Sequence, residues 1–498
     1  MHLSTLLDCD LVAVEQTDEL TLLVELTAPT PATTTKRQPA TLQIVLDRSG
    51  SMGGDRLEGA KTALLGLVDR LDPSDNLGIV AFDDAVQIIL PAGPLTDKAA
   101  VKAAIAAIDA GGCTDLSAGY LRGLQEAQRV AGPTGATVLL ISDGHANAGV
   151  TDADQLGSVA AQAKAKGVTT STLGFGLGYD ERLLAALARG GAGNELFAEE
   201  ADSAVAKISG EVEGLLDQVA QAASLRLSWS QYVAGIDVLN DLTVIGLPDG
   251  AMLELGSFYA GETRRLLITL KIPSIAALGL VQVATLEFTH VSLPDLVQHM
   301  TTLPLHVNVV PGDQAAGRIS DPKVQSEALF QQTQRAKRES SRLLSQGRGD
   351  EASAMLTDWS ASLRAASACL PNALSAELYG EADLMDSLAD ESRFDVGRAA
   401  KAASYDSSAK SRNRGRQTRG GRIVLRCADD CDELTLEEWE LQRLVRGLSP
   451  ALERALRPGQ SLRSPQTCLE LHLALFDQPA GGFFSQCAAH GGLTVGRA

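Results

Sequence analysis

Between Thr41 and Ala223, short and nearly continuous apolar runs alternate with amphipathic stretches, and this rhythm limits the fold more than any other feature of the chain. TLQIVL (41–46) lacks the polar alternation of a half-exposed strand, so it reads as a strand covered on both faces. Leu57, Ala60, Leu64, Leu67, Val68 and Leu71 then fall at i, i+3, i+4 spacing and predict a helix over 56–71. The same grammar gives strands NLGIVAF (76–82), AVQIIL (85–90), ATVLLIS (136–142), VTTSTLGFG (168–176) and NELFA (194–198). Helices are expected between them over about 96–109, 117–131, 152–166 and 180–189, with a last one over about 202–222. The expected fold class of 39–223 is α/β, a doubly wound, mostly parallel, Rossmann-like sheet with helices on both faces.

On either side the grammar differs. Residues 10–26 alternate as strands do, with Leu11 and Ala13, then Leu20, Leu22, Val24 and Leu26; TAPTPATTTKRQPA (27–40) reads as a linker. SLRLSW, RRLLITLKI, GLVQVATLEFTHV and LPLHVNVV, separated by Gly and Pro turns, predict an all-β sandwich over 224–312. The N-terminal strands (1–38) are assigned to that sandwich, which would make the α/β block an insertion. Residues 313–405, rich in Ala, Leu, Gln and Arg, predict a C-terminal helical region of three helices. Residues 406–422 contain DSSAKSRNRGRQTRGGR and have no apolar period, so they read as a disordered basic linker, with Lys410, Arg412, Arg414, Arg416, Arg419 and Arg422. Residues 423–498 hold four of the seven cysteines and fit no fold pattern.

Charge and composition remove several function classes. With 43 Lys+Arg against 62 Asp+Glu, the net charge of −19 argues against nucleic-acid binding, which needs a basic surface to displace counterions. No apolar stretch approaches the ~18–20 residues that cross a bilayer. MHLSTLLDCDLVAVEQ lacks the basic start and apolar core of a signal peptide, and the odd cysteine count suggests no disulfide framework. A cytoplasmic location is the expectation.

The strand TLQIVL runs into Asp47-Arg48-Ser49-Gly50-Ser51-Met52-Gly53, an Asp-x-Ser-x-Ser pattern in a tight loop before a helix. A second copy, Asp358-Trp359-Ser360-Ala361-Ser362, lies in a helical stretch, where i and i+2 point to different sides and cannot converge on one ion. In the loop copy, Asp47, Ser49 and Ser51 can aim at one point. Gly111-Gly112-Cys113-Thr114-Asp115 and Ser142-Asp143-Gly144 offer further oxygens through Thr114 and Asp143. If strands 41–46 and 136–142 are neighbours in a 3-2-1-4-5 order, Asp47 and Asp143 face each other across the switch point where open α/β sheets bind ligands.

Taken in order, DRSGSM, GGCTDLSAG and LLISDGHANAG resemble the von Willebrand factor type A family and its metal-ion-dependent adhesion site, over about residues 39–222. The layout resembles bacterial members grouped with inter-alpha-trypsin inhibitor heavy chains and calcium-activated chloride channel homologues. The resemblance implies Ser49 and Ser51 as direct hydroxyl ligands, Thr114 as a direct or water-bridged ligand, and Asp47 and Asp143 binding mostly through water. Hard oxygen donors point to Mg²⁺, with Mn²⁺ or Ca²⁺ as alternatives. In this family the remaining coordination position takes an acidic side chain of a protein partner. The implied function is therefore non-enzymatic, metal-dependent protein–protein interaction, completed by a partner's Glu or Asp. Two other functions compete with it: an accessory subunit of an AAA+ ATPase or metal-enzyme assembly complex, and a metal-dependent hydrolase.

Other constellations carry less. A haloacid-dehalogenase-like hydrolase would need Asp where Ser49 stands, and His145 beside the metal loops reads as a rim residue. Gly54–Thr62 imitates a phosphate-binding loop, but it carries one extra residue before Lys61 and falls inside the helix. Cys427, Cys431, Cys468 and Cys487 are spaced too widely for a zinc ribbon and read as thiols. Cys113 reads as a small loop filler.

Overall fold

The computed structural model describes residues 1–30, 37–144, 146–176, 178–199 and 201–412, together with four short strands beyond residue 422. The chain divides into two units, Met1–Arg414 and Gly415–Ala498.

The first unit begins with β1 (His2–Leu7), β2 (Leu11–Ala13) and β3 (Asp18–Thr27). The α/β domain follows: β4 (Thr41–Asp47), a 3-10 turn (Gly50–Met52), α1 (Asp55–Arg70), β5 (Asn76–Phe82), β6 (Val86–Pro94), α2 (Lys98–Ala106) and α3 (Leu116–Val130). It continues through β7 (Ala136–Ser142), α4 (Ala153–Ala165), β8 (Val168–Phe175), α5 (Glu181–Gly190), β9 (Ala192–Ala198) and α6 (Ala201–Leu216). Its sheet order is β6-β5-β4-β7-β8-β9, parallel except for the β5–β6 pair. The two central strands, β4 and β7, are buried at every residue, which is why their sequences show no alternation. On β4, Leu42, Ile44 and Leu46 pack towards α1, α2 and α6, whereas Val45 faces α3, with the α4 and α5 cores beside it. This two-sided cover is the doubly wound α/β architecture.

After it come β10 (Gln218–Trp229), β11 (Gly235–Val238), β12 (Val244–Leu247), β13 (Gly250–Tyr259), β14 (Thr263–Ile272), β15 (Gly279–Ser292) and β16 (Gln298–Val310). Two sheets form, ordered β1-β3-β14-β11 and β12-β13-β10-β15-β16-β2. β3 pairs antiparallel with β14 from Thr27↔Thr263 to Asp18↔Ile272, and β2 pairs parallel with β16. Chain from before and after the α/β domain thus shares one core, in which Leu20, Leu22, Val24 and Leu26 meet Leu266, Ile268, Leu270 and strands of the second sheet.

Helices α7 (Gly312–Ala315), α8 (Pro322–Ser345), α9 (Gly349–Ser367), α10 (Asn372–Glu391) and α11 (Val396–Ser411) complete the unit. Val324 of α8 covers Leu23, Leu239 and Leu267 on the outer face of the first sheet. Three sequence expectations are corrected here, the first being that the helical region holds four long helices, α8 to α11, and the short α7 rather than three helices. The last helix of the α/β domain stops at Leu216, and Gln218–Ala223 already belong to β10, paired with β13 and β15 through bulges. Small alanines at 220, 222 and 223 gave that segment no decisive period.

The helical region likewise continues to Ser411, so Asp406–Ser411 are helix rather than disordered linker. Lys410, expected to be solvated, pairs with Glu381 at 2.6 Å and Asp406 at 2.8 Å. Arg412 donates to the carbonyls of Gly193 and Asp241, each at 3.2 Å. Arg414, Arg416, Arg419 and Arg422 lie outside the described residues, as do residues 31–36 of the linker, His145, Cys431, Cys468 and Cys487.

In the second unit, β17 (Ile423–Cys427), β18 (Glu433–Leu436), β19 (Ser461–Leu462) and β20 (Leu493–Arg497) form a sheet ordered β18-β17-β20-β19, with Cys427 at the end of its strand.

Candidate metal centre

Asp47 ends β4 and Ser142 ends β7, and these two parallel neighbours send their chains into different layers. At such a switch point the loops splay apart and leave a crevice. The turn after β4 is anchored by buried Met52, while Ser49 is nearly buried and Ser51 is exposed. It is stitched to the loop before α3 by Gly50 N–H donating to Gly112 O at 3.2 Å and Gly111 N–H donating to Arg48 O at 2.8 Å. That loop is tied in turn to the chain after β7. Thr114 N–H donates to Asn147 Oδ1 at 3.0 Å, and Asn147 N–H donates to Thr114 O at 3.2 Å. Three segments distant in sequence are therefore held in register by backbone hydrogen bonds.

The five side chains singled out from the sequence meet here. Ser49 Oγ and Ser51 Oγ are 3.2 Å apart, and the Ser51 hydroxyl donates to Asp143 Oδ1 at 2.8 Å. A Cβ on Gly144 would lie 3.5 Å from both Ser51 Oγ and Thr114 Oγ1, so those two hydroxyls flank one point beside Gly144. Asp47 sits behind them: its Oδ1 accepts the Ser49 N–H at 2.8 Å and its Oδ2 accepts the Ser142 hydroxyl at 2.6 Å. Burial pushes the Asp47 carboxyl above its ordinary value, while the Ser142 and Ser49 hydrogen bonds pull the other way. Asp143 is fully buried as a side chain and is paired with Arg56 at 2.5 Å.

Three neighbours escaped the sequence reading. Ser142 fixes Asp47, Asn147 fixes Thr114, and Arg56 reaches Asp143 from α1. Ser142 and Asn147 stand in the same ISDGHAN segment as Asp143, so that segment carried their signal; Arg56 had none, being one polar position of an amphipathic helix. The second Asp-x-Ser-x-Ser copy does not converge. It lies in α9, where Ser360 is buried against Asp386 while Asp358 and Ser362 are exposed. Gly54–Thr62 lies almost wholly in α1, with Lys61 turned to Glu58 at 2.9 Å, so it forms no phosphate loop. Cys113 is an exposed thiol.

The donor set suits a hard divalent cation. Among the described residues, no three His, Cys, Asp or Glu side chains cluster to hold a metal. The convergent groups are instead two carboxylates and three hydroxyls, all oxygen, as Mg²⁺ or Mn²⁺ prefers and as thiolate-seeking metals do not.

The model of the von Willebrand factor type A domain matches residues 42–211. These residues are a von Willebrand factor type A domain. An uncharacterized protein of Synechocystis is 36% identical over 171 residues, which is 34% of this chain and 40% of that protein. Inter-alpha-trypsin inhibitor heavy chain H1 of Sus scrofa is 28% identical over 187 residues, 35% of this chain and 20% of that protein. The chain thus spans well under two thirds of these relatives. A solved von Willebrand factor type A protein from Catenulispora acidiphila, 16% identical, superposes with a TM-score of 0.62 over 78% of this chain and 89% of its own. That likeness extends the shared fold well beyond the von Willebrand factor type A domain itself. Such domains commonly depend on a divalent metal and mediate protein–protein interaction.

Proposed function

We propose that this protein is a non-enzymatic interaction protein whose von Willebrand factor type A domain binds a protein partner through Mg²⁺. Ser49, Ser51 and Thr114 supply hydroxyl oxygens, and Asp47 and Asp143 supply the negative charge. The observation that carries this reading is the convergence of Ser51 and Thr114 hydroxyls beside Gly144, with both carboxylates held behind or beside them. The ion, when bound, supplies a Lewis-acidic position open to a partner's Glu or Asp. The protein's own residues do the rest. Ser142 and the Ser49 N–H keep Asp47 oriented, Asn147 holds the Thr114 loop, and the buried strand ends keep the donors fixed.

The test is affinity capture from native lysate with Mg²⁺, with EDTA, and with the Ser49→Ala/Ser51→Ala variant. A partner retained with Mg²⁺ and lost in both other arms supports metal-bridged recognition. A partner retained in all three moves the function to the sandwich or the helices.

A further inference from the structure

Arg56 touches the donor set without belonging to it. It is the second residue of α1, where the helix macrodipole disfavours a positive charge, so its place needs a local reason. Its Nη1 donates to Asp143 Oδ2 at 2.5 Å and to Ser51 O at 3.4 Å. Gly176, with φ of +69°, forms the seat for the guanidinium: a Cβ there would come within 3.0 Å of Nη2 and 3.1 Å of Cζ. The side chain remains 39% exposed while its carboxylate is buried, so part of the guanidinium faces the rim. Among the described residues, it is the one cationic side chain hydrogen-bonded to any of the five donors. The other arginine of these loops, Arg48, is matched by Asp83 at 3.1 Å.

We propose that Arg56 sets the charge of the metal site: it shares Asp143 with the cation, weakening cation binding, and leaves the loaded site positive, which draws an acidic partner group. This rests on the metal-dependent reading above. Two carboxylates balance a divalent ion, so a site of Asp47 and Asp143 alone would be neutral when loaded and would attract a carboxylate weakly. Arg56 adds the missing positive charge beside the open position, at the expense of affinity for the ion. A residue that merely oriented Asp143 for the metal would have the opposite effect on cation affinity, so the sign decides.

Mn²⁺ titration followed by electron paramagnetic resonance compares wild type, Arg56→Gln, Arg56→Met and Arg56→Lys, each checked for folding by thermal melting in EDTA. If wild type binds no Mn²⁺, or binds it equally well as Ser49→Ala/Ser51→Ala, the site itself is misread. Where wild-type binding depends on those serines, Arg56→Gln and Arg56→Met should bind Mn²⁺ about 2- to 5-fold tighter, the scale of one half-exposed ion pair, with Arg56→Lys near wild type. Unchanged or weaker binding overturns the proposal. Acetate then probes the loaded site through water-proton relaxation. The neutral variants should need about 2- to 5-fold more acetate to displace metal-bound water; an equal or smaller requirement overturns the claim that Arg56 attracts the acidic group.

Discussion

Ser142→Ala removes one hydroxyl from the interior of the von Willebrand factor type A domain, and its cost follows from what that hydroxyl holds. Ser142 is fully buried and donates to Asp47 Oδ2 at 2.6 Å; Asp47 is also fully buried, and its other oxygen takes the Ser49 N–H. Alanine leaves one oxygen of a buried carboxylate without its hydroxyl donor. A hydrogen bond to a charged group contributes about 1.5–3 kcal/mol, so a loss of about 2 kcal/mol is expected. For a domain of roughly 150–250 residues this lowers the melting temperature by about 4–8 °C. The pH dependence has a definite sign. Burial already lifts Asp47 above its ordinary value and the Ser142 hydroxyl stabilises its charged form, so the deficit is full where Asp47 is ionised and shrinks on acidification. Scanning calorimetry in EDTA, from about pH 8 down to about pH 5, measures both features. A drop below about 1 °C at the alkaline end, or a deficit that grows towards acid, would refute the assigned role of Ser142.

Three further outcomes concern the rest of the unit. Against the upward push of burial, Lys337 and Lys410 hold Glu381 at about 2; Glu381→Gln leaves both buried ammonium groups to share Asp406 as their one remaining carboxylate and should cost about 3 kcal/mol, the lower end for a broken buried pair, by urea denaturation at neutral pH. The charged Glu381 contributes its full stability above about 4.5 and loses it as pH falls towards about 2, a slope that the variant should lack. His290, stacked on Phe288 and His299, is held down to about 4 by burial, the α-amino group and His299, so the fold should lose stability as pH drops from about 6.5 towards about 4; His290→Leu should flatten that acid limb. Lys401 of α11 donates to Tyr179 O at 2.7 Å and Glu181 at 2.6 Å, and Lys401→Ala should cost about 1–3 kcal/mol and speed hydrogen exchange along α11 and around Tyr179.

What was legible in the sequence had a period or a boundary. β4 and β7 announced themselves as unbroken apolar runs because both faces are covered, and α1 through its i, i+3, i+4 leucines. The Asp-x-Ser-x-Ser loop could be told from its copy at 358–362 because strand-to-turn context lets alternate residues converge and helix context does not. The start of β10 was illegible because alanines serve strand and helix alike. The end of α11, Asp406–Ser411, was misread as linker because it packs through Ser407, Ser408 and Ser411, small polar residues that leave no apolar stripe and resemble linker composition. Arg56 was illegible for a different reason: its partner Asp143 is 87 positions away, and no local pattern marks a guanidinium that reaches across a sheet.

The most direct test of the metal-dependent reading is crystallography of the full chain with Mn²⁺, using the anomalous signal to locate the ion. The expected result is one peak about 2.0–2.3 Å from Ser49 Oγ and Ser51 Oγ, near Thr114 and Asp143, with a coordination position left to solvent or to an acidic group. A peak bound elsewhere, or none at this crevice at saturating Mn²⁺, would contradict it.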